Sequence, residues 1–241
     1  MIDTILFDLD GTLLPMDNEI FTKGYFKGLA AKLAPLGYEP KHLVNCVWSG
    51  TAAMVKNDGT RLNAERFWET FAAMNPDIWD PAHENLTDSF YTNEFHAAKQ
   101  YTGENPLAKE LVDTLKKEGY RVVLATNPLF PKVGIEARLS WIGLTCSDFD
   151  LVTTYENMHY CKPNPKYYGE ILGMIGKTPA ECLMVGNNTD EDCAAAKAAG
   201  LETVLVTDCL INESCTPIAT YTNTTFAGLH EVICRKIKEC T

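Results

Sequence analysis

Two aspartates, Asp8 and Asp10, stand two residues apart in the run FDLDGTLL, where an apolar stretch over residues 4–9 breaks into Gly11-Thr12. Carboxylates at i and i+2 on the end of a strand, where the chain leaves regular geometry, can both reach one cleft. One ionised carboxylate can attack phosphorus and form an acyl phosphate. Its neighbour can protonate the leaving oxygen and then activate water. Repulsion between an attacking carboxylate and a phosphate dianion calls for a hard cation. Magnesium suits oxygen ligands, here Asp8, the Asp10 carbonyl and a side-chain oxygen from further along the chain. Three later segments offer matching groups: Thr126-Asn127, Lys162 in CKPNP, and Gly186-Asn187 followed by Asp190, Glu191 and Asp192. Thr126 and Lys162 would supply the hydroxyl and charged donors that hold the transferring oxygens.

Side chains so distant in sequence meet only if the runs that carry them lie side by side. Residues 4–9, 121–125, 149–153, 181–185 and 203–206 are short and apolar or β-branched, which predicts strands. Residues 106–118, 132–141, 165–174, 191–199 and 229–238 read as helices, with Gly119 and Gly200 as stops. Strands alternating with such helices predict βαβ units and a parallel sheet. Ligands of such sheets bind beyond the carboxyl ends of the strands, so the informative groups would share one rim. Between residues 16 and 101 the strand signals vanish, and residues 21–36, 41–56, 64–74 and 85–99 have helical spacing. The expected fold class is α/β: a Rossmann-like parallel sheet core, residues 1–15 and 102–241, with an inserted all-helical cap domain, residues 16–101. Its hinges fall near residues 14–18 and 100–105.

In this combination and order the motifs resemble those of the haloacid dehalogenase superfamily, a group dominated by phosphatases. FDLDGTLL resembles its first motif, LATN its second, Lys162 in CKPNP its third and MVGNNTDEDCAAAKAAG its fourth. The resemblance implies Asp8 as nucleophile and Asp10 as general acid/base. It implies a phosphate site of Thr126, the neighbouring Asn127, Gly11 and Lys162, the lysine also neutralising charge on Asp8. Mg2+ would sit on Asp8, Asp10 and Asn187, with Asp192 as a supporting carboxylate behind them. Members that cleave carbon–halogen bonds typically lack the second aspartate, so Asp10 favours phosphoryl chemistry. One departure stands out: the family usually has Asp where this chain has Asn187. An amide oxygen can still ligate magnesium, but one negative charge is gone and weaker metal affinity is expected. The implied activity is magnesium-dependent hydrolysis of a small phosphorylated metabolite, such as a sugar phosphate or nucleotide. A phosphomutase or a dehalogenase of the same superfamily is an alternative, and a non-catalytic binding or regulatory protein is another.

The formal net charge of −11 argues against nucleic acid or anionic membrane as partner, since both are polyanions. A small phosphorylated substrate answers instead to the local field of one cleft. The N-terminus has no basic-then-apolar leader, and no apolar run approaches the ~20 residues that span a bilayer. A cytoplasmic monomer or homodimer with nine reduced cysteines is expected, and the absence of a CxxC pair speaks against structural zinc. Helix-start chemistry suffices for Asp190 and Glu191. The aromatic residues Phe21, Tyr25, Trp48, Phe67, Trp68 and Phe71 read as helix packing rather than a substrate box. Lys23, Lys56 and Arg61 read as surface charge, and the five histidines receive no role.

Overall fold

Six strands form one parallel sheet in the order β3-β2-β1-β4-β5-β6 in the computed structural model, which describes residues 1–240. They are β1 (Thr4–Phe7), β2 (Arg121–Leu124), β3 (Leu151–Val152), β4 (Cys182–Gly186), β5 (Glu202–Val206) and β6 (Thr222–Thr224). Ahead of β2 run α1 (Asn18–Leu33), α2 (Pro40–Val55), α3 (Asn63–Ala73), α4 (Ala82–Thr92) and then α5 (Pro106–Lys117). The sheet is continued by α6 (Lys132–Trp141), α7 (Pro165–Ile175), the short α8 (Ala195–Ala198) and α9 (Leu229–Glu239).

Alternation along each strand splits the core between the two faces of the sheet. Ile5, Phe7, Val122, Leu124, Leu183 and Val185 point to one side, where Leu115 of α5, Leu139 of α6 and Ile233 of α9 cover them. Leu6, Val123 and Met184 point to the other, against Tyr167, Ile171 and Ala196 of α7 and α8. Both faces are covered, which is why these strands read as unbroken apolar runs. Burial of each large side chain contributes roughly 1.5–3 kcal/mol. Local signals start and stop the helices that carry the rim. In α7, Asn164 caps the Lys166 N–H, Pro165 occupies the first turn, and Gly176 ends the helix at φ 67°.

The expected α/β architecture is present, with three local corrections. The helix expected over residues 85–99 is two elements: α4 ends at Thr92 and a 3-10 stretch follows over Glu94–Tyr101. Asn93 turns its side-chain amide back onto the Ser89 carbonyl and breaks the α pattern. The helix expected over residues 191–199 opens with a π-helical turn, Thr189–Ala194. The third correction is β6, an edge strand of sequence TNT with no apolar run to announce it.

Between β1 and α5 the chain is helical only. It leaves and rejoins the sheet at adjacent points: the Gly103 N–H donates to the Pro15 carbonyl (2.7 Å), and Met16 and Thr102 form an antiparallel bridge. The far side of this helical segment is tied down too. The Asn63 and Ala64 N–H groups donate to the Met158 and Tyr155 carbonyls (2.9 and 2.8 Å) in the loop after β3. All nine cysteines are free thiols. No helix among the described residues is long and apolar enough to cross a membrane.

Candidate active site

Asp8 follows β1 directly, and its N–H donates to the Val185 carbonyl of β4 (2.9 Å), so its side chain rises between two central strands. Lys162 Nζ reaches it from the loop before α7, 2.8 Å from Asp8 Oδ1 and 2.6 Å from Asp192 Oδ1. All three side chains are buried. Asp192 sits in the π-helical turn and its Oδ2 accepts from the Asn188 N–H (3.0 Å). Gly186 makes this approach possible: a Cβ there would stand 2.2 Å from the Asp192 carboxyl carbon. Burial works against the Lys162 ammonium, but Asp192 and Asp8 outweigh it and hold its pKa well above the ordinary lysine value. Burial pushes Asp8 up to about 8; Lys162 pulls it down, and Asp192 and Asp10 add to the rise.

The strand-end amide is oriented by its neighbours. Asn187 Nδ2 donates to the Cys209 carbonyl (2.6 Å), which leaves Oδ1 to accept from the Thr12 hydroxyl (3.1 Å). That hydroxyl also lies 3.4 Å from Asp8 Oδ2, so the amide oxygen faces the Asp8 side of the cleft. Gly11, at φ 87°, packs against this amide; a Cβ would meet Asn187 Nδ2 at 2.2 Å. Thr126 and Asn127 follow β2 and border the same cleft, with Asn127 Nδ2 donating to Glu191 Oε2 (3.2 Å). The residues singled out from the sequence therefore converge on one rim. Glu191, assigned there only to helix-start chemistry, borders the cleft as well.

Arg138 was not anticipated. It comes from α6, is fully buried, forms an ion pair with Asp10 and stacks its guanidinium 4.1 Å from the Phe130 ring centroid. A signal existed: Gly134, Ile135, Arg138 and Trp141 recur at helical spacing and all are buried, so a charge sits on the inward face of the helix. Arg138 Nη2 and Asp10 Oδ1 have no hydrogen-bond partner. Replacing Arg138 by Met is expected to lower turnover about 10–100-fold, because the Asp10 carboxyl loses the group that fixes its rotamer. Lys should restore little of this, lacking the planar fork that pairs and stacks at once. Steady-state rates of both variants beside wild type check the expectation; full activity in the Lys variant would mean that charge alone matters.

Among the described residues, Asp8, Asp10, Glu191 and Asp192 face two buried cations, Lys162 and Arg138. Surplus negative charge and hard oxygen donors (the Asp8 carboxylate, the Asp10 main chain, Asn187 Oδ1) suit a divalent cation. Above them opens a cavity of about 320 Å³ that runs from Asp8 and Asp10 up between α1, α2 and α3. Phe21, Tyr25 and Phe71 belong to the hydrophobic core and Phe67 and Trp68 pack against it, as read from the sequence, and all five, with Trp48, also border the cavity. Helical spacing marks the inward face of each helix, but the faces here do not close on one another. Lys23, Lys56 and Arg61 lie outside it, as expected of surface charge.

A family model described as haloacid dehalogenase-like hydrolase matches residues 2–200. The chain is 27% identical over 202 residues to pyrophosphatase PpaX of Bacillus velezensis, spanning 84% of this chain and 82% of that protein. The fold is similar to that of 2-haloacid dehalogenase from Pseudomonas syringae, with TM-score 0.62, 20% identity, and 98% and 100% of the two chains covered. It is likewise similar to CbbY from Rhodobacter sphaeroides, crystallised with phosphate, at TM-score 0.58 and 20% identity over 95% and 96%.

Proposed function

This chain belongs to the haloacid dehalogenase-like hydrolases, and we propose that within them it hydrolyses phosphomonoesters of small molecules with magnesium, through an aspartyl phosphate on Asp8. The observation that carries this reading is the Lys162 bridge between Asp8 and Asp192 at the floor of the cavity, with Asp10 two residues further on. Asp8 Oδ2 is the oxygen that attacks, because Oδ1 is engaged by Lys162 at 2.8 Å and Oδ2 accepts only the longer 3.4 Å contact from the Thr12 hydroxyl. Asp10 delivers a proton to the leaving oxygen and then takes one from water. Thr126, the Asn127 backbone, Gly11 and Lys162 bind the phosphoryl oxygens. Bound magnesium, held by Asp8, Asp10 and Asn187, supplies charge neutralisation between nucleophile and phosphate. Helices α1–α4 act as a cap that keeps water from the intermediate. The protein works on a soluble phosphorylated substrate in the cytoplasm, as a monomer or homodimer, without nucleic acid or membrane.

The test is release of p-nitrophenol from its phosphate ester with magnesium and with chelator, combined with borohydride trapping. Metal-dependent turnover and reduction of an acyl phosphate at residue 8, read by peptide mass, are the expected results. Turnover undiminished by chelator, or a label elsewhere, would reject the mechanism.

Asn187 carries its own prediction. Asn187→Asp adds a charge to the ligand set, and about 10-fold tighter magnesium binding is expected. The same change turns the donor on Cys209 O into an acceptor, so the metal-free variant should lose roughly 1–3 kcal/mol of stability. Magnesium titration followed by calorimetry, and melting in chelator, read the two effects separately.

A further inference from the structure

Aromatic rings, with several aliphatic side chains, make up much of the wall of the cavity above Asp8, and the way those rings use their polar atoms limits what the leaving group can be. Trp68 and Trp79 stack at 5.1 Å between centroids and 26° between planes. The Trp68 indole N–H donates to the Tyr155 hydroxyl (3.2 Å), and the Tyr25 and Tyr91 hydroxyls share a hydrogen bond (2.8 Å). At the end furthest along the cap, the Tyr38 hydroxyl pairs with His83 Nδ1 (2.9 Å). The bordering Thr51 and Thr87 hydroxyls donate to backbone carbonyls (2.9 and 2.7 Å). These polar groups are already paired within the protein, so this part of the wall asks for few hydrogen bonds from a ligand. Hydroxyls of a bound sugar would be stripped of water with little in return.

Charge narrows the choice further. Among the described residues no lysine or arginine borders the cavity; the charged side chains that do are Asp8, Asp10, Glu191 and Asp192. A second phosphate or a carboxylate on the leaving side would meet rings and no cation. Lys23 and Arg61 are paired with Glu19 and Glu69 at the surface, and Arg138, which stacks on Phe130, is paired with Asp10 at the phosphate end. Trp48, half exposed at 52%, stands where this aromatic lining reaches solvent. Flat rings set edge-on and stacked around an uncharged space are suited to another ring system.

Resting on the phosphomonoesterase reading above, we infer that the substrate is the monophosphate of an uncharged aromatic alcohol, whose ring system lodges among α1, α2 and α3 while its phosphate faces Asp8. Pyrophosphate, sugar phosphates and phosphorylated carboxylic acids are excluded by the same wall. The inference concerns the leaving group only and replaces the sugar phosphate or nucleotide expected from the sequence.

The experiment compares 2-(2-naphthyl)ethyl phosphate with ethyl phosphate, glycerol 1-phosphate and pyrophosphate, in saturating magnesium. The three esters release primary alcohols of similar basicity, so differences report binding of the leaving group rather than its chemistry. kcat/KM for the naphthylethyl ester should exceed that for glycerol 1-phosphate by about 100-fold, with pyrophosphate slowest of all. Trp68→Ala and, separately, Trp48→Ala should shrink the ratio of naphthylethyl to ethyl ester about 10-fold. Trp48 is exposed, so its variant keeps the test alive if Trp68→Ala fails to fold. Equal rates for the esters, or a preference for glycerol 1-phosphate or pyrophosphate, would overturn the inference and leave Asp8 phosphatase chemistry standing. Hydrolysis of none of the four would take down both.

Discussion

Replacing Asp8 by Asn is expected to cost at least about 10⁴-fold in turnover, the scale on which removal of a nucleophile acts, while the protein melts at or above the wild-type temperature. The two effects have one source. Burial pushes the Asp8 carboxyl up to about 8, so its ionised form is held in the folded protein at a disadvantage. A carboxyl whose folded pKa exceeds its unfolded value makes the native state bind more protons. Its contribution is therefore fully present below the ordinary value of 3.8 and is lost as pH rises towards about 8. Asparagine has the shape of the neutral acid and no charge to desolvate, and Lys162 keeps Asp192 at 2.6 Å. Melting in chelator should thus show the wild type losing stability from pH 5 to pH 8 relative to the variant. A variant both inactive and markedly less stable at pH 8 would mean that Asp8 holds the fold together instead.

That trade of stability for a poised carboxylate explains why so much of the site could be read from the chain. Asp8, Thr126 and Asn187 sit at or just past strand ends, and a parallel sheet brings such ends to one rim whatever lies between them. Burial on both faces also left β1, β2 and β4 as apolar runs with clear limits. Lys162 is different. Nothing local distinguishes it from a solvated loop lysine; its depth is a product of the sheet, of α7 and of the two carboxylates it bridges. Its place in the motif order pointed to it, and the local chemistry did not. Arg138 stayed hidden because its partner lies 128 positions earlier in the chain. The aromatic cavity was invisible for another reason. A helix with Phe and Trp at three- and four-residue spacing has the same sequence pattern whether the bundle centre is filled or hollow. Splay between helices is set by tertiary ties such as Asn63 to Met158, which no window of residues records.

Lys162→Met should lower kcat/KM by about 10³-fold and, unlike Asp8→Asn, should also destabilise the protein strongly. Methionine keeps most of the stem and its packing against the surrounding wall, so the loss isolates the charge. Without the ammonium, Asp8 and Asp192 become two buried carboxylates with no cation between them, a state that costs about 3–5 kcal/mol. For a chain of this size the melting temperature should fall on the order of 10 °C. The pH dependence gives the argument its sign. Removing the cation raises the folded Asp8 value further, so the native variant takes up a proton that the unfolded chain does not. Its deficit should be largest near and above pH 8 and shrink as the solution approaches pH 4. The lysine's own value is raised, so the stability it contributes is complete below the ordinary lysine value of 10.5 and is lost only above it, outside this window. Chemical denaturation of wild type and variant across that range decides the matter. A difference within about 0.5 kcal/mol at pH 8 would reduce Lys162 to a surface-like lysine, and with it the electrostatic account of how Asp8 is kept ready to attack.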